Sequence, residues 1–151
     1  MLQRVDLADL SAWRTYLNGL KSRYPLAWED VLDDDRLSPQ QIIRRLGALA
    51  DPDAFFLTGV GQHQMWSAHF LPHSRAYRWG TSGGAGTMGY CVPAAMGAKV
   101  ALPDVQVWGI DGDGCFQMTN QELVPCAINK IPIKIAVINN NVLGMVRQWQ
   151  T

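Results

Sequence analysis

Three short apolar runs, at residues 54–60, 105–110 and 133–138, each closed off by turn residues, constrain this chain more than anything else in it. Each is close to the typical strand length of about 5–6 residues, and near-continuous hydrophobicity marks strands buried on both faces. Helical stretches lie between them. Residues 86–102 are rich in Ala, Met and Val, and Thr119-Asn120-Gln121-Glu122 reads as a capping box opening a helix that carries Leu123, Cys126 and Ile128. This alternation predicts an α/β fold: an open parallel sheet with right-handed crossovers and helices on both faces. Pro125 falls inside the last helix, where proline removes a backbone bond at a cost of about 3 kcal/mol, so a kink or a shortened helix is expected there.

Upstream, Ser38-Pro39-Gln40-Gln41 supplies an N-cap, a proline at the first helical position and a capping-box glutamine, which predicts a helix over 39–50 containing Ile42, Ile43, Leu46 and Leu49. Residues 1–37 are polar and acidic, with Trp13, Tyr16, Leu17 and Leu20 on one face of a short helix before Asp33-Asp34-Asp35-Arg36; they read as a linker or the tail of a preceding domain, and 38–151 as one domain. The chain stops at Trp149-Gln150-Thr151 just after an apparent helix start, the pattern expected of a piece of a longer protein.

Thirteen Lys and Arg balance thirteen Asp and Glu, so no global field draws the chain to nucleic acid or an anionic membrane. No apolar run approaches the roughly 18 residues needed to span a bilayer, and no signal peptide is visible. Cys91, Cys115 and Cys126 are odd in number and lack a Cys-x-x-Cys spacing, which argues against a disulfide framework or zinc ribbon and for a reducing cytoplasm.

In an open parallel sheet, ligands bind beyond the carboxyl ends of the strands, so the residues after each apolar run come first. They are Gly59-Val60-Gly61-Gln62-His63-Gln64, Asp111-Gly112-Asp113-Gly114 and Asn139-Asn140-Asn141. Magnesium takes about six oxygen ligands and usually combines one or two protein groups with phosphate oxygens. Asp113 offers a carboxylate and Asn140 an amide oxygen, Gly112 and Gly114 let backbone approach a phosphate, and amides opening the next helix place Gly114 and Cys115 against a diphosphate.

Gly112-Asp113-Gly114, followed 27 positions after Asp113 by the pair Asn139-Asn140, resembles the signature of thiamine-diphosphate enzymes. Residues 61–66 (GQHQMW), 82–90 (SGGAGTMGY), 120–123 (NQEL) and 143–150 (LGMVRQWQ) resemble the catalytic subunit of the acetohydroxyacid (acetolactate) synthase family; together these segments cover most of 38–151. The resemblance implies the family's cofactor-binding domain, incomplete at its C-terminus, with residues 1–37 a remnant of a middle domain. It implies that Asp113, Asn140 and the Val142 carbonyl hold Mg²⁺, that Gln62 and His63 touch the diphosphate of thiamine diphosphate, and that Gly61, Gly112, Gly114, Cys115 and Gly144 border the cofactor. Gly86 matches the aminopyrimidine-binding backbone and Met88 the apolar wedge that bends the cofactor, bringing its exocyclic nitrogen near thiazolium C2 for an internal proton transfer. Met145 and Trp149 match the substrate pocket, the tryptophan selecting the second keto acid.

The implied reaction of the full enzyme decarboxylates pyruvate and joins the two-carbon unit to a second 2-keto acid, a step of branched-chain amino-acid biosynthesis; Trp149 favours this form over a catabolic one. The resemblance also implies an assembly of two or more copies sharing the active site, a regulatory small subunit, FAD in the full-length enzyme, and an activating glutamate from a domain this chain lacks. The expectation is therefore no synthase activity for this chain alone. Three positions depart from the family pattern: Ala85 replaces a larger aliphatic, Asn141-Val142 replaces a glycine and a polar residue, and Pro125 interrupts the helix behind the metal loop.

Rival readings are weaker. Residues 84–89 (GAGTMG) match Gly-x-Gly-x-x-Gly, the fingerprint of an NAD-binding oxidoreductase, but that motif should follow a strand directly, and residues 79–83 (WGTSG) precede it. A calcium loop starting at Asp111 would place Cys115 at position five and Phe116 where glycine is needed. His63, His69 and His73 lack the company of cysteines or carboxylates along the sequence, so zinc is set aside and His69 and His73 are read as ordinary loop or surface residues. Met65, Trp66, Met96 and Trp108 are read as core. A non-catalytic cofactor-binding remnant is the alternative of a different class.

Overall fold

Ser38 caps the helix that enters the domain: its Oγ accepts the Gln41 amide at 3.2 Å, with Pro39 in the first turn where no amide is needed. In the computed structural model, which describes residues 8–27, 37–73 and 76–151, this helix runs Pro39–Leu49 (α2). Before it lies α1, Ser11–Arg23, none of whose residues is buried; Trp13 stacks on Tyr16 with ring centroids 5.7 Å apart. The acidic run at 33–36, with Arg4 and Asp6, lies outside the described residues.

The three apolar runs form β1 (Phe55–Thr58), β3 (Val107–Gly112) and β4 (Lys134–Ile138). A fourth strand, β2 (Trp79–Thr81), pairs with β1 at the edge, where no strand was expected. Its three residues with a central glycine give too little pattern to read. The order is β2-β1-β3-β4 and every pairing is parallel.

Side chains alternate across the sheet as the pleat requires. Phe56, Ile110 and Ile138 pack with Ile43 of α2 and Leu71 beyond α3 (Gln62–Phe70) on one face. Leu57 and Val107 pack with Cys91 and Ala95 of α4 (Cys91–Ala101) on the other. Cys91 is fully buried, its Sγ 3.6 Å from the Leu57 carbonyl, and burial pushes its thiol pKa well up. Expected core residues divide: Trp66 and Trp108 border the first cluster, whereas Met65 is exposed.

Helix boundaries moved for local reasons. The stretch expected to be helical from 86 begins only at Cys91, because Gly86 and Gly89 take φ of +63° and +83°, outside the helical basin. The capping box at 119–122 does not form. Thr119 closes α5 (Asp113–Thr119) and gives its hydroxyl to the Gly89 carbonyl at 2.9 Å, and a 3-10 turn, Asn120–Glu122, leads into α6 (Leu123–Ile128). Pro125 thereby sits in the first turn of α6, where its missing amide costs little, so the helix is shortened rather than kinked. The chain closes with α7, Gly144–Gln150.

Ile110 is fully buried where both helices of its face meet the sheet. Ile110→Ala is expected to remove about 2–5 kcal/mol of stability in urea unfolding, while Val124→Ala on the exposed side of α6 stays within about 0.5 kcal/mol.

Candidate functional site

After β1 the chain goes to β2 on one side; after β2 it crosses to β3 on the other side of β1. The loops leaving β1 and β3 therefore diverge, one into α3 and one into α5, which packs with α4. A crevice opens between the two strand ends, the position where parallel sheets bind ligands. A pocket of about 230 Å³ lies there.

Into it the fold brings Gly61, Gln62 and His63 after β1, Gly112 at the end of β3 with Asp113, Gly114 and Cys115 after it, and Asn140, Val142, Gly144 and Met145 after β4. Gly86 and Met88 join them from the loop before α4. Trp149 is not brought in; it stands 84% exposed near the end of α7. Val60, from the strand end read first, lines the pocket too, as do Trp66, Ile138, Leu143 and Val146, which were not expected to. Leu143 was foreseeable, since it lies between two residues singled out for the site. Trp66 serves both core and pocket, a dual use that periodicity does not reveal.

Local chemistry shapes each loop. Gly61 has φ +150°, a backbone conformation open only to glycine, and no side chain caps α3, which leaves its first turn open toward the pocket. The asparagine turn after β4 is held by its own side chains: Asn139 Oδ1 accepts the Asn141 amide at 2.9 Å and Asn140 Oδ1 the Val142 amide at 3.2 Å. Asn141 takes φ +56°, a left-handed conformation that asparagine tolerates, so this departure from the family pattern is well accommodated.

The Asn140 amide nitrogen donates to Gln62 Oε1 at 3.3 Å, and Gln62 Nε2 to Gln148 Oε1 at 3.3 Å. A Cβ at Gly144 would collide with the Gln62 carboxamide, and one at Gly114 would come within 2.8 Å of Leu143 Cδ2 and 3.8 Å of the Met88 methyl. Glycine at 144 thus gives the amide network its room, and glycine at 114 lets two apolar side chains close over backbone.

Beneath the pocket, Asp111 is fully buried and His63 is 6% exposed. Asp111 Oδ1 accepts the Gly112 amide at 3.1 Å and lies 3.5 Å from His63 Nε2, an ion-pair contact rather than a well-formed hydrogen bond. Neither His63 Nε2 nor Asp111 Oδ2 has a hydrogen-bond partner among the described residues. Burial pulls the His63 pKa down, but Asp111 and Cys115 outweigh it and leave the value above the ordinary 6.5. Sequence spacing gave His63 no acidic or thiol company; the fold supplies both, with His63, Asp111 and Cys115 donor atoms within 4.8 Å of one another. Cys115 Sγ is already engaged with the Val60 carbonyl at 2.9 Å. The other histidines are ordinary: His73 lies edge-on to Trp79 and His69 to Phe70.

The pocket lining therefore combines hard oxygen donors on Asp113 and Asn140 with the apolar side chains of Met88, Leu143 and Val146. Asn140 Oδ1 keeps a second lone pair beyond its bond to Val142. Carboxylate, carboxamide and backbone carbonyl oxygens are hard donors that would suit a magnesium ion. The glycine fingerprint at 84–89 does follow a strand after all, β2, but an edge strand separated from α4 by residues 82–90, and only Gly86 of its glycines reaches the pocket.

Comparison with known proteins agrees with this arrangement. The family described as "Thiamine pyrophosphate enzyme, C-terminal TPP binding domain" matches residues 59–151. The chain is 56% identical over 147 residues to an acetolactate synthase of Mycobacterium bovis, covering 97% of this chain and 23% of that protein. It is 55% identical to an acetolactate synthase large subunit of Corynebacterium glutamicum (98% and 24% covered) and 44% identical to a chloroplastic acetolactate synthase of Arabidopsis thaliana (94% and 21%). Among solved structures it resembles a thiamine diphosphate-dependent 4-hydroxybenzoylformate decarboxylase of Rhodococcus jostii RHA1, with TM-score 0.73 and 29% identity over 84% of this chain and 24% of that one. The chain thus spans about a quarter of the length of these relatives.

Two outcomes are expected of the buried pair. Because the folded-state pKa of His63 is raised, its stabilisation is present in full below 6.5 and is lost as pH rises through the higher value; urea unfolding of the native chain should show this decline, and His63→Gln should flatten it. A Cβ at Gly59 would collide with Asp111 Oδ1, whereas none within 4 Å meets one at Gly84. Gly59→Ala should therefore cost about 1–3 kcal/mol by urea unfolding, and Gly84→Ala less than about 0.5 kcal/mol.

Proposed function

This chain belongs to the thiamine pyrophosphate enzymes, through their C-terminal TPP-binding domain, and from that premise we propose that it is the part of an acetolactate synthase large subunit that holds the cofactor's diphosphate through Mg²⁺. The observation that carries the proposal is the gathering, in one pocket at the strand ends, of oxygen donors, close backbone and an apolar wall drawn from four separate segments.

Each residue has a role set by its chemistry. Asp113, Asn140 and the Val142 carbonyl would hold the ion. Gln62 and His63 would bind diphosphate oxygens, with Gly61, Gly112, Gly114, Cys115 and Gly144 keeping the backbone close. Gly86 would receive the aminopyrimidine and Met88 would support the bend between the rings, while Leu143 and Val146 exclude water beside it. Met145 and Trp149 would meet the keto acids. Thiamine diphosphate, when bound, supplies a thiazolium electron sink for 2-keto acid decarboxylation.

In the whole enzyme the reaction would be decarboxylation of pyruvate and ligation of the two-carbon unit to a second 2-keto acid, in branched-chain amino-acid biosynthesis in the cytoplasm. The active site would be shared between copies of the subunit, with FAD on a middle domain whose tail is residues 1–37, and with a regulatory small subunit. Because the chain covers about a quarter of its relatives, we propose that alone it binds cofactor without making acetolactate.

Calorimetric titration tests this. Thiamine diphosphate should bind in the presence of Mg²⁺ and not after chelation, NAD should not bind, and Asp113→Ala should weaken cofactor binding by more than about 100-fold, beyond what outer-shell changes cost metal sites. Binding that ignores Mg²⁺, or acetolactate formed by the isolated chain, would count against the proposal.

A further inference from the structure

A carboxylate taken fully out of water carries a large desolvation cost unless charge and hydrogen bonds answer it. Asp111 receives one amide, from Gly112, and its second oxygen is unanswered among the described residues. The nearest basic group is the His63 ring, whose Nε2 sits 3.5 Å from Oδ1.

The ring is fixed by more than this contact. A Cβ at Gly59 would lie 2.8 Å from Nε2, one at Gly112 2.8 Å from Nδ1, and one at Gly61 3.1 Å from Nδ1. Three glycines from two strand ends thus admit an imidazole that any larger residue would displace. They also orient it: Nε2 lies toward Gly59 and Asp111 in the interior, while Nδ1 lies toward Gly61 and Gly112, both of which line the pocket.

We propose that Asp111 is a positioning residue of the diphosphate site, its carboxylate holding the His63 ring with Nε2 turned inward so that the Nδ1 edge is offered to an anion in the pocket. The inference rests on the cofactor reading of that pocket. An imidazole whose protonated Nε2 faces the Asp111 carboxylate at 3.5 Å can give Nδ1–H to a phosphate oxygen, with the carboxylate offsetting its positive charge. Gln62, the other side chain assigned to the diphosphate oxygens, is held by carboxamides of Asn140 and Gln148 and not by a buried carboxylate among the described residues.

The test uses the chain labelled with 15N-histidine, with magnesium pyrophosphate and magnesium thiamine diphosphate as probes. The native spectrum should show a protonated Nε2 on His63, lost or strongly shifted in Asp111→Asn; a native His63 with bare Nε2 would overturn the proposal without any substitution. Asp111→Asn should weaken both probes by about 10–100-fold, the range found when an outer-shell partner is removed. His63→Gln should weaken them comparably, and the double variant no further, since residues acting as one unit are not additive. Additive losses, or an Asp111→Asn chain that folds and binds like the native one, would overturn it. Failure of the native chain to bind either probe would instead overturn the cofactor reading, and the spectra alone would then decide whether Asp111 orients His63.

Discussion

A single acidic side chain, Asp111, lies wholly inside the sheet at the end of β3, and the site is arranged around answering it. The neighbouring strand end must bring a basic group close, which His63 does from the first turn of α3. The backbone around both must be bare enough to let them meet, which explains glycine at 59, 61 and 112. Removing either partner strands the other in a medium where isolated charge is poorly tolerated. The residues that prepare the pocket floor are thereby also those most exposed to destabilising change.

Above this floor the pocket divides its chemistry by strand. The β1 and β3 loops offer backbone, His63 and Asp113; the β4 loop offers Asn140 and a turn stabilised by its own asparagines. Apolar cover comes from Met88 and from the start of α7. A ligand with a charged tail and flat apolar rings is what such a division suits. Because the loops leave β1 and β3 toward different helices, the crevice is a product of strand order and needs no movement to form.

Much of this was legible beforehand because the informative signals were local and redundant. Apolar runs of strand length placed β1, β3 and β4, and the polar residues directly after them converge because parallel strands end together. What escaped was set by distant contacts. Thr119 looked like a helix cap but its hydroxyl is drawn to Gly89, 30 positions away. β2 is three residues around a glycine and exists because β1 offers it an edge. Asp111 was legible only as the first polar residue after an apolar run, and its pairing with His63 was not, since that partner lies 48 positions earlier.

Cys91, pressed between α4 and the sheet, has its sulfur against the Leu57 carbonyl and within 2.7 Å of where a Cβ on Gly109 would stand. No reagent can reach that sulfur while helix and strands stay in register. Its rate of alkylation is consequently a clock for the lifting of α4 off the strands, an internal gauge of breathing in the layer that supports the crevice from behind.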